Sequence, residues 1–328
     1  MSFGFSSHFC ELIKGLYRDQ TATISDKGIV SESFSLERGV RQGDPLSPLL
    51  YIISLEPFLR KVNSSIQGIM LNSVTLKAKA YADDTTIGIT LRDWPLLLMS
   101  ISLYERASNA EINFNKSKLL QLNGKANQYT YTSPFTDLQE DETIVSLGFP
   151  IKNGKLNYKG LWMKLINRMK SKIDQVSQRN LSIRGKVLVT KSLILSKIWY
   201  FVPAAPPNHK IKHEITSLIS KYIRSSAILP AYSELTEQIM LGGMSSPDVS
   251  NSINAILAKQ FIALLTSKAN WAKIARSMIE THLLKSRKKL DLYQYLESNA
   301  TNTLGWPRNW KPWLVAWRNL DGSFQDSF

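Results

Sequence analysis

Two adjacent carboxylates, Asp83 and Asp84, are the side chains of this chain best placed to do chemistry. They close the segment Tyr81-Ala82-Asp83-Asp84. Lys77-Ala78-Lys79-Ala80 alternates small and basic residues before it, and Thr85-Thr86-Ile87-Gly88-Ile89 continues the alternation after it. A period of two on both sides predicts a hairpin with the two acids at its tip. Paired carboxylates on strands are hard-oxygen donors of the kind that hold Mg²⁺ for phosphoryl or nucleotidyl transfer. In two-metal sites the ions stand about 3.5–4 Å apart. A solitary Asp-Asp pair is more often an ordinary exposed turn, so its meaning rests on its neighbours.

Upstream runs Arg38-Gly39-Val40-Arg41-Gln42-Gly43-Asp44-Pro45-Leu46-Ser47-Pro48-Leu49-Leu50. Gly39 and Gly43 allow the backbone to approach a ligand closely. Gln42 offers a donor and an acceptor, and Arg38 and Arg41 suit phosphate. Asp44 and Pro45 read as the cap and first-turn proline of a helix over residues 46–62, whose positive end faces the same place. Downstream stands Ile112-Asn113-Phe114-Asn115-Lys116-Ser117-Lys118-Leu119.

The elements that must position these groups follow from periodicity. Residues 9–17 have helical spacing. Residues 21–25 and 29–36 read as strands joined by a turn at Asp26-Lys27-Gly28. The predicted helix 46–62, the carboxylate hairpin, a helix over 94–109 and a strand over 118–122 complete an α+β pattern, with helices on one face of a mostly antiparallel sheet. Residues 123–142, rich in Thr, Gln and Asn, read as an insertion or loop. Beyond residue 151 the chain turns helical. Trp162, Leu165, Ile166, Met169, Ile173 and Val176 form one apolar stripe, with Lys159, Lys164, Arg168 and Lys170 off it. Helices are also expected over 182–201, with Lys186, Lys191 and Lys197 outward, and over 208–224. The remainder is expected to be helical, broken at residues 242–247.

Composition narrows the class of partner. The 328 residues carry 41 Lys and Arg against 26 Asp and Glu, a net charge of +15, and are 43% hydrophobic. Residues 151–225 hold 16 cations and two acids, Asp174 and Glu214, so nearly the whole surplus lies there. A solvated surface mixes both signs; a block of one sign points to nucleic acid. The single cysteine, Cys10, excludes an intrachain disulfide. His209 and His213 have helical spacing without a second ligand pair, which argues against zinc. No apolar run reaches the length of a membrane span, and an intracellular location, nuclear or cytoplasmic, is expected. Trp306, Trp310, Trp313 and Trp317 read as a packing seam rather than a base-stacking platform. The run Lys285-Ser286-Arg287-Lys288-Lys289 reads as a solvated helix end, a nuclear-localisation patch or a nucleic-acid contact.

The set of motifs resembles the reverse transcriptases of non-LTR (LINE-type) retrotransposons. Residues 38–50 are similar to that family's motif B, Tyr81 to Asp84 to its catalytic YxDD box, residues 112–118 to motif D with Lys116 in the lysine position, and Leu147-Gly148-Phe149-Pro150 to the motif E hairpin. Residues 4–17 resemble the helix after motif A, and the likeness is strong to about residue 151. The resemblance implies a partial right-hand polymerase palm over 1–151, a basic, all-α thumb-like bundle over 152–229 and a helical C-terminal region over 230–328. It implies an RNA-directed DNA polymerase using two Mg²⁺ ions, an RNA template, a DNA primer and dNTPs. Asp83 and Asp84 would bind metal, and Tyr81 and Ala82 would lie beside the primer terminus. Gln42 and Gly43 would position the template base and nucleotide, and Arg38 and Arg41 would lie near phosphates. Gly148 would belong to the hairpin supporting the primer end, and Lys116 would be a general acid toward pyrophosphate or a phosphate contact. Lys164, Lys170, Lys186 and Lys191 would meet the nucleic-acid backbone.

The family's further Asp, on a strand just before Gly4, has no counterpart in these residues, nor do its steric gate and fingers. The expectation is an N-terminally truncated fragment, weak or inactive alone. The alternative is a non-catalytic nucleic-acid-binding remnant of such an element. A palm-type RNA-directed RNA polymerase fits less well, given the detail of residues 38–50 and the alanine at position 82.

Overall fold

A computed structural model describes residues 3–36, 39–72, 74–120, 122, 134–138, 142–224, 231–285, 291–297 and 306–319. In chain order these hold α1 (Ser7–Leu16), β1 (Thr21–Ala22), β2 (Ser25–Asp26), β3 (Ile29–Val30), β4 (Phe34–Ser35) and α2 (Ser47–Ser65). Next come β5 (Ile69–Leu71), β6 (Val74–Leu76), β7 (Ala78–Tyr81), β8 (Asp84–Ile87) and α3 (Trp94–Ser108). Then follow β9 (Lys118–Leu119), β10 (Thr136–Asp137), β11 (Thr143–Ser146), β12 (Phe149–Lys152) and β13 (Lys155–Leu156). The helical part comprises α4 (Tyr158–Ser177), α5 (Ile183–Val189), a π-helical segment (Thr190–Leu195), α6 (Ser196–Trp199) and α7 (His209–Ile223). It continues with α8 (Tyr232–Thr236), α9 (Val249–Thr266), α10 (Asn270–Lys285), α11 (Leu292–Glu297) and α12 (Lys311–Arg318).

The class is α+β, with helices and small sheets that are antiparallel except for the β9–β10 pair. The expected continuous sheet is corrected. Among the described residues the strands form separate two-stranded ladders and one three-stranded sheet, β11-β12-β13. Strands of two to four residues offer too few ladder hydrogen bonds to extend further.

The chain divides into two compact units. One comprises residues 1–67, 78–87 and 91–110; the other comprises 68–77, 88–90 and 111–328. In the second unit α4, α7, α9, α10 and α12 share one hydrophobic core.

In the first unit α2 packs on α3 and on β7. Leu55, Phe58, Val62, Trp94, Leu97 and Ile101 are buried there. The Asp93 carboxylate is fully buried and accepts from the Gln67 amide. α1 is begun by Ser6, whose hydroxyl accepts from the Phe9 amide. It buries none of its residues; Phe9, Leu12 and Leu16 lie exposed on it, and Phe3 and Phe5 lie exposed just before it.

The second unit is organised by helix caps and one large core. Asn157 caps α4 through the Gly160 amide at 2.9 Å, and Asn208 caps α7 through the Ile211 amide at 3.0 Å. Every residue of the predicted stripe, from Trp162 to Val176, is buried. The Trp162 indole donates to the Ala205 carbonyl at 3.2 Å. The late tryptophans are packing residues: Trp306 and Trp313 are buried, and Phe261 lies between Trp306 and Trp317, at 6.0 and 5.1 Å. The charged run at 285–289 falls outside the described residues beyond Lys285. No helix among the described residues is long and apolar enough to cross a membrane.

Burial raises the pKa of five tyrosines, Tyr51, Tyr158, Tyr222, Tyr232 and Tyr295, above the ordinary 10.0. The unfolded chain releases these protons near that value while the folded chain keeps them. Their stabilisation is thus complete below about pH 10 and is lost as pH rises further. Lys212, pushed down by burial, acts in the opposite sense just below its ordinary 10.5. Five groups outweigh one, so the melting temperature is expected to hold near pH 9 and to fall above about pH 10, together with the rise in tyrosinate absorbance. A melting temperature unchanged to about pH 11 would contradict this.

Candidate active site and nucleic-acid interface

The hairpin is present, with only the first of the two acids in its turn and Asp84 opening the second strand. β7 and β8 pair with Tyr81 opposite Asp84, and Ala82 and Asp83 form the two-residue turn. The turns at Lys27-Gly28, Leu147-Gly148 and Asn153-Gly154 use a following glycine with both residues at positive φ, as at Leu147 (46°) and Gly148 (85°). Here Ala82 alone takes positive φ, at 51°, without a glycine. A non-glycine residue so placed costs about 1–3 kcal/mol, and such strain concentrates at functional sites. Tyr81, Ala82, Asp83 and Asp84 are all exposed, Tyr81 at 72%.

One neighbour escaped the sequence reading. The Tyr51 phenol, one turn into α2, has its pKa raised by burial, then by Tyr104 and by the negative charge of Asp83. Asp83 therefore lies within electrostatic reach of the start of α2. Nothing in local spacing marks Tyr51, because the hairpin comes 30 residues later in the chain.

The segment leading into α2 is exposed at Arg41, Gln42 and Gly43. Gly43 has φ of 91° with nothing within 4 Å of where a side chain would begin. It is a turn glycine with open space above it. The Asp44 carboxylate accepts from the Leu46 amide at 2.9 Å, bracing the entry to a helix that starts at Ser47 with Pro48 in its first turn. This moves the predicted start by one residue and gives the first-turn role to Pro48 rather than Pro45. The Arg41 guanidinium donates to the Leu16 carbonyl at 3.5 Å, and Tyr17 and Ser47 hydroxyls meet at 3.3 Å. Both contacts tie the end of α1 to this segment. Arg38 lies outside the described residues.

Lys116 and Gly148 belong to the second unit. Lys116 is exposed, with its amide bonded to Asn113 in a turn. Gly148 turns the β11–β12 hairpin; Phe201 carbons lie 3.3 Å from a side chain built there. The hairpin is held by the Tyr200 hydroxyl, which donates to Leu147 at 3.2 Å, and by Phe149 against Tyr200 and Phe201.

The basic residues separate into three groups. Lys164 lines an open groove of about 840 Å³ together with Arg168, Lys172 and Lys197, and no acid among the described residues lines it. Lys191 is exposed. Lys170 pairs with Glu214 at 3.2 Å, one of the two acids of the basic block. Lys186 is corrected: expected on the outward face, it is buried at 7% exposure, its ammonium 6.0 Å from the centre of the Tyr222 ring.

The donor set at Asp83 and Asp84 suits Mg²⁺ in kind, since Mg²⁺ commonly takes one or two carboxylates, keeps waters and binds substrate phosphates. It falls short of a two-metal cluster. Among the described residues no three His, Cys, Asp or Glu side chains come together as a metal site.

The chain thus carries a tight hairpin with two exposed acids, followed by a basic helical region. Residues 2–151, a little under half of the chain, match the family model of reverse transcriptase (RNA-dependent DNA polymerase), and this segment is a fragment of such a domain. Its relatives place it with the non-LTR, LINE-type members. It is 26% identical over 220 residues to the transposon TX1 uncharacterized 149 kDa protein of Xenopus laevis, across 64% of this chain and 16% of that one. It is 34% identical over 86 residues to the retrovirus-related Pol polyprotein from type-2 retrotransposable element R2DM of Drosophila melanogaster, across 26% of this chain and 8% of that one. Over 90 residues it is 33% identical to the uncharacterized mitochondrial protein AtMg01250 of Arabidopsis thaliana, covering 24% of this chain and 70% of that one. The chain thus spans less than a fifth of the first two relatives.

Proposed function

We propose that this chain is the portion of a LINE-type reverse transcriptase that carries the carboxylate hairpin, the nucleotide-facing loop and a nucleic-acid-gripping helical region. In this reading the first unit, with β11–β12, belongs to a palm, and the basic helices from α4 onward form a thumb. The observation that carries it is the Tyr81–Asp84 register, which sets both acids at an exposed, strained turn. Asp83 and Asp84 are the residues that would hold Mg²⁺, which when bound supplies positive charge to phosphoryl oxygens. Gln42 and Gly43 would orient template base and nucleotide, Arg41 and Arg38 would contact phosphates, and Tyr81 and Ala82 would flank the primer end. Lys116 would donate a proton, or a hydrogen bond, to pyrophosphate. Partners are an RNA template, a DNA primer and dNTPs.

Among the described residues no third acid joins these two; two carboxylates alone hold reacting groups loosely, and a misplacement of about 1 Å costs on the order of 10²-fold in rate. Primer extension on an RNA template with Mg²⁺ is therefore expected to give trace, dNTP-selective incorporation that Asp83→Asn abolishes. Incorporation that survives Asp83→Asn would remove the hairpin from the chemistry. Vigorous incorporation lost in that variant would show that the site is complete without a third acid. The lack of a three-group metal cluster among the described residues favours a second reading, a nucleic-acid-binding remnant without catalysis. That reading predicts primer–template binding with no incorporation at all.

A further inference from the structure

A second cavity, of about 380 Å³, lies in the second unit where α4 ends, on the side of α5 and α7. Its polar lining comes from Ser177, Arg179, Asn180, Ser182, Lys186 and Tyr222. Its volume is near the lower end of the roughly 300–1,000 Å³ typical of small-ligand sites. Three features give it a chemical preference. Two of the six groups are cations, and no carboxylate among the described residues lines it. One of those cations, Lys186, is withdrawn from solvent at 7% exposure, where an ammonium interacts more strongly with an anion than it would in water. The other four are neutral hydrogen-bonding groups. The Ser182 hydroxyl already accepts from the Gly185 amide at 3.2 Å, which leaves its proton to donate outward.

A planar carboxylate would use only part of such a set. A tetrahedral oxyanion accepts from several directions at once, and the five-donor guanidinium of Arg179 matches phosphate in both charge and geometry. We infer that this cavity is a phosphate-binding pocket, with Arg179 and Lys186 as its charged ligands and Ser177, Asn180, Ser182 and Tyr222 as its neutral ones. It is separate from the open groove lined by Lys164, with which it shares no lining residue. It also does not depend on polymerase chemistry at Asp83. The phosphate could be a nucleic-acid backbone group or a free phosphate, since both present the same oxygens.

The test is calorimetric titration of the purified 328-residue chain with inorganic phosphate, ionic strength being held constant with chloride. One saturable site per chain is expected, with affinity falling at least tenfold in Arg179→Gln and in Lys186→Met. Arg179 is exposed, so its variant keeps the fold; the Met variant keeps the buried stem, and a thermal melt checks both. Absence of saturable binding, or unchanged affinity in Arg179→Gln, would overturn the pocket. Displacement of phosphate by a short single-stranded oligonucleotide would identify a backbone phosphate as the natural occupant. Displacement by pyrophosphate alone would identify a free one; both outcomes support the site. Groove substitutions such as Lys164→Gln are expected to leave phosphate affinity unchanged.

Discussion

Trp162→Ala is expected to destabilise the second unit by about 3–5 kcal/mol, the cost of removing a large buried aromatic from a packed core. Trp162 is 1% exposed and opens the stripe that α4 turns inward. Truncation leaves a cavity that neighbours such as Leu161 and Leu165, themselves 1% exposed, can only partly fill. It also removes the indole donor from the Ala205 carbonyl, and a buried acceptor left unsatisfied costs about 1–3 kcal/mol by itself. Against a typical domain stability of about 5–15 kcal/mol, that is a large fraction. Urea unfolding should show a midpoint displaced far downward with its slope preserved. Lys164→Ala, on the exposed face of the same helix, should stay within about 0.5 kcal/mol of the parent. A Trp162→Ala midpoint indistinguishable from that of Lys164→Ala would mean that α4 does not anchor the core.

The groove lined by Lys164, Arg168, Lys172 and Lys197 should carry the largest functional effect. Each cation that neutralises a phosphate releases condensed counterion, with a slope of about −0.9 per contact on B-form duplex and about −0.7 on single strands. Replacing all four with Gln should therefore make the plot of log affinity against log salt shallower by about 2.8 to 3.6. It should also weaken binding at low salt by several orders of magnitude. Lys170→Gln is the internal comparison. Its ammonium already has Glu214 at 3.2 Å, so its loss should change the slope by less than one contact. A fourfold variant with the parental slope would exclude this face as the nucleic-acid interface.

The parts of this chain set by short-range pattern could be read from sequence; the parts set by long-range packing could not. The carboxylate hairpin was legible because a strand period on both sides of a two-residue turn admits one register. The apolar stripe of α4 was legible because a 20-residue helix repeats its period often enough to fix a face. Lys186 was misjudged for a specific reason. A regular helix over residues 182–201 places Lys186 and Lys197 about 20° apart around the axis, on one face. The observed path runs through a π-helical segment at Thr190–Leu195, whose wider turn shifts the phase of everything after it. Lys197 therefore lines the open groove while Lys186 is buried beneath Tyr222. The electrostatic influence of Asp83 on Tyr51 and the core shared between α4 and α9 were invisible for the complementary reason: each joins residues far apart in the chain.

One consequence concerns α1. Phe3, Phe5, Phe9, Leu12 and Leu16 are all at least 39% exposed, and the helix buries no residue. Cellular quality control acts on apolar surface that folding ought to have removed. This chain presents such surface in its native state as well as in its unfolded one. No stabilisation of the core around Trp162 could hide it, so tighter folding and longer survival in a cell are separate properties of this protein. Survival depends on whether the face of α1 is covered.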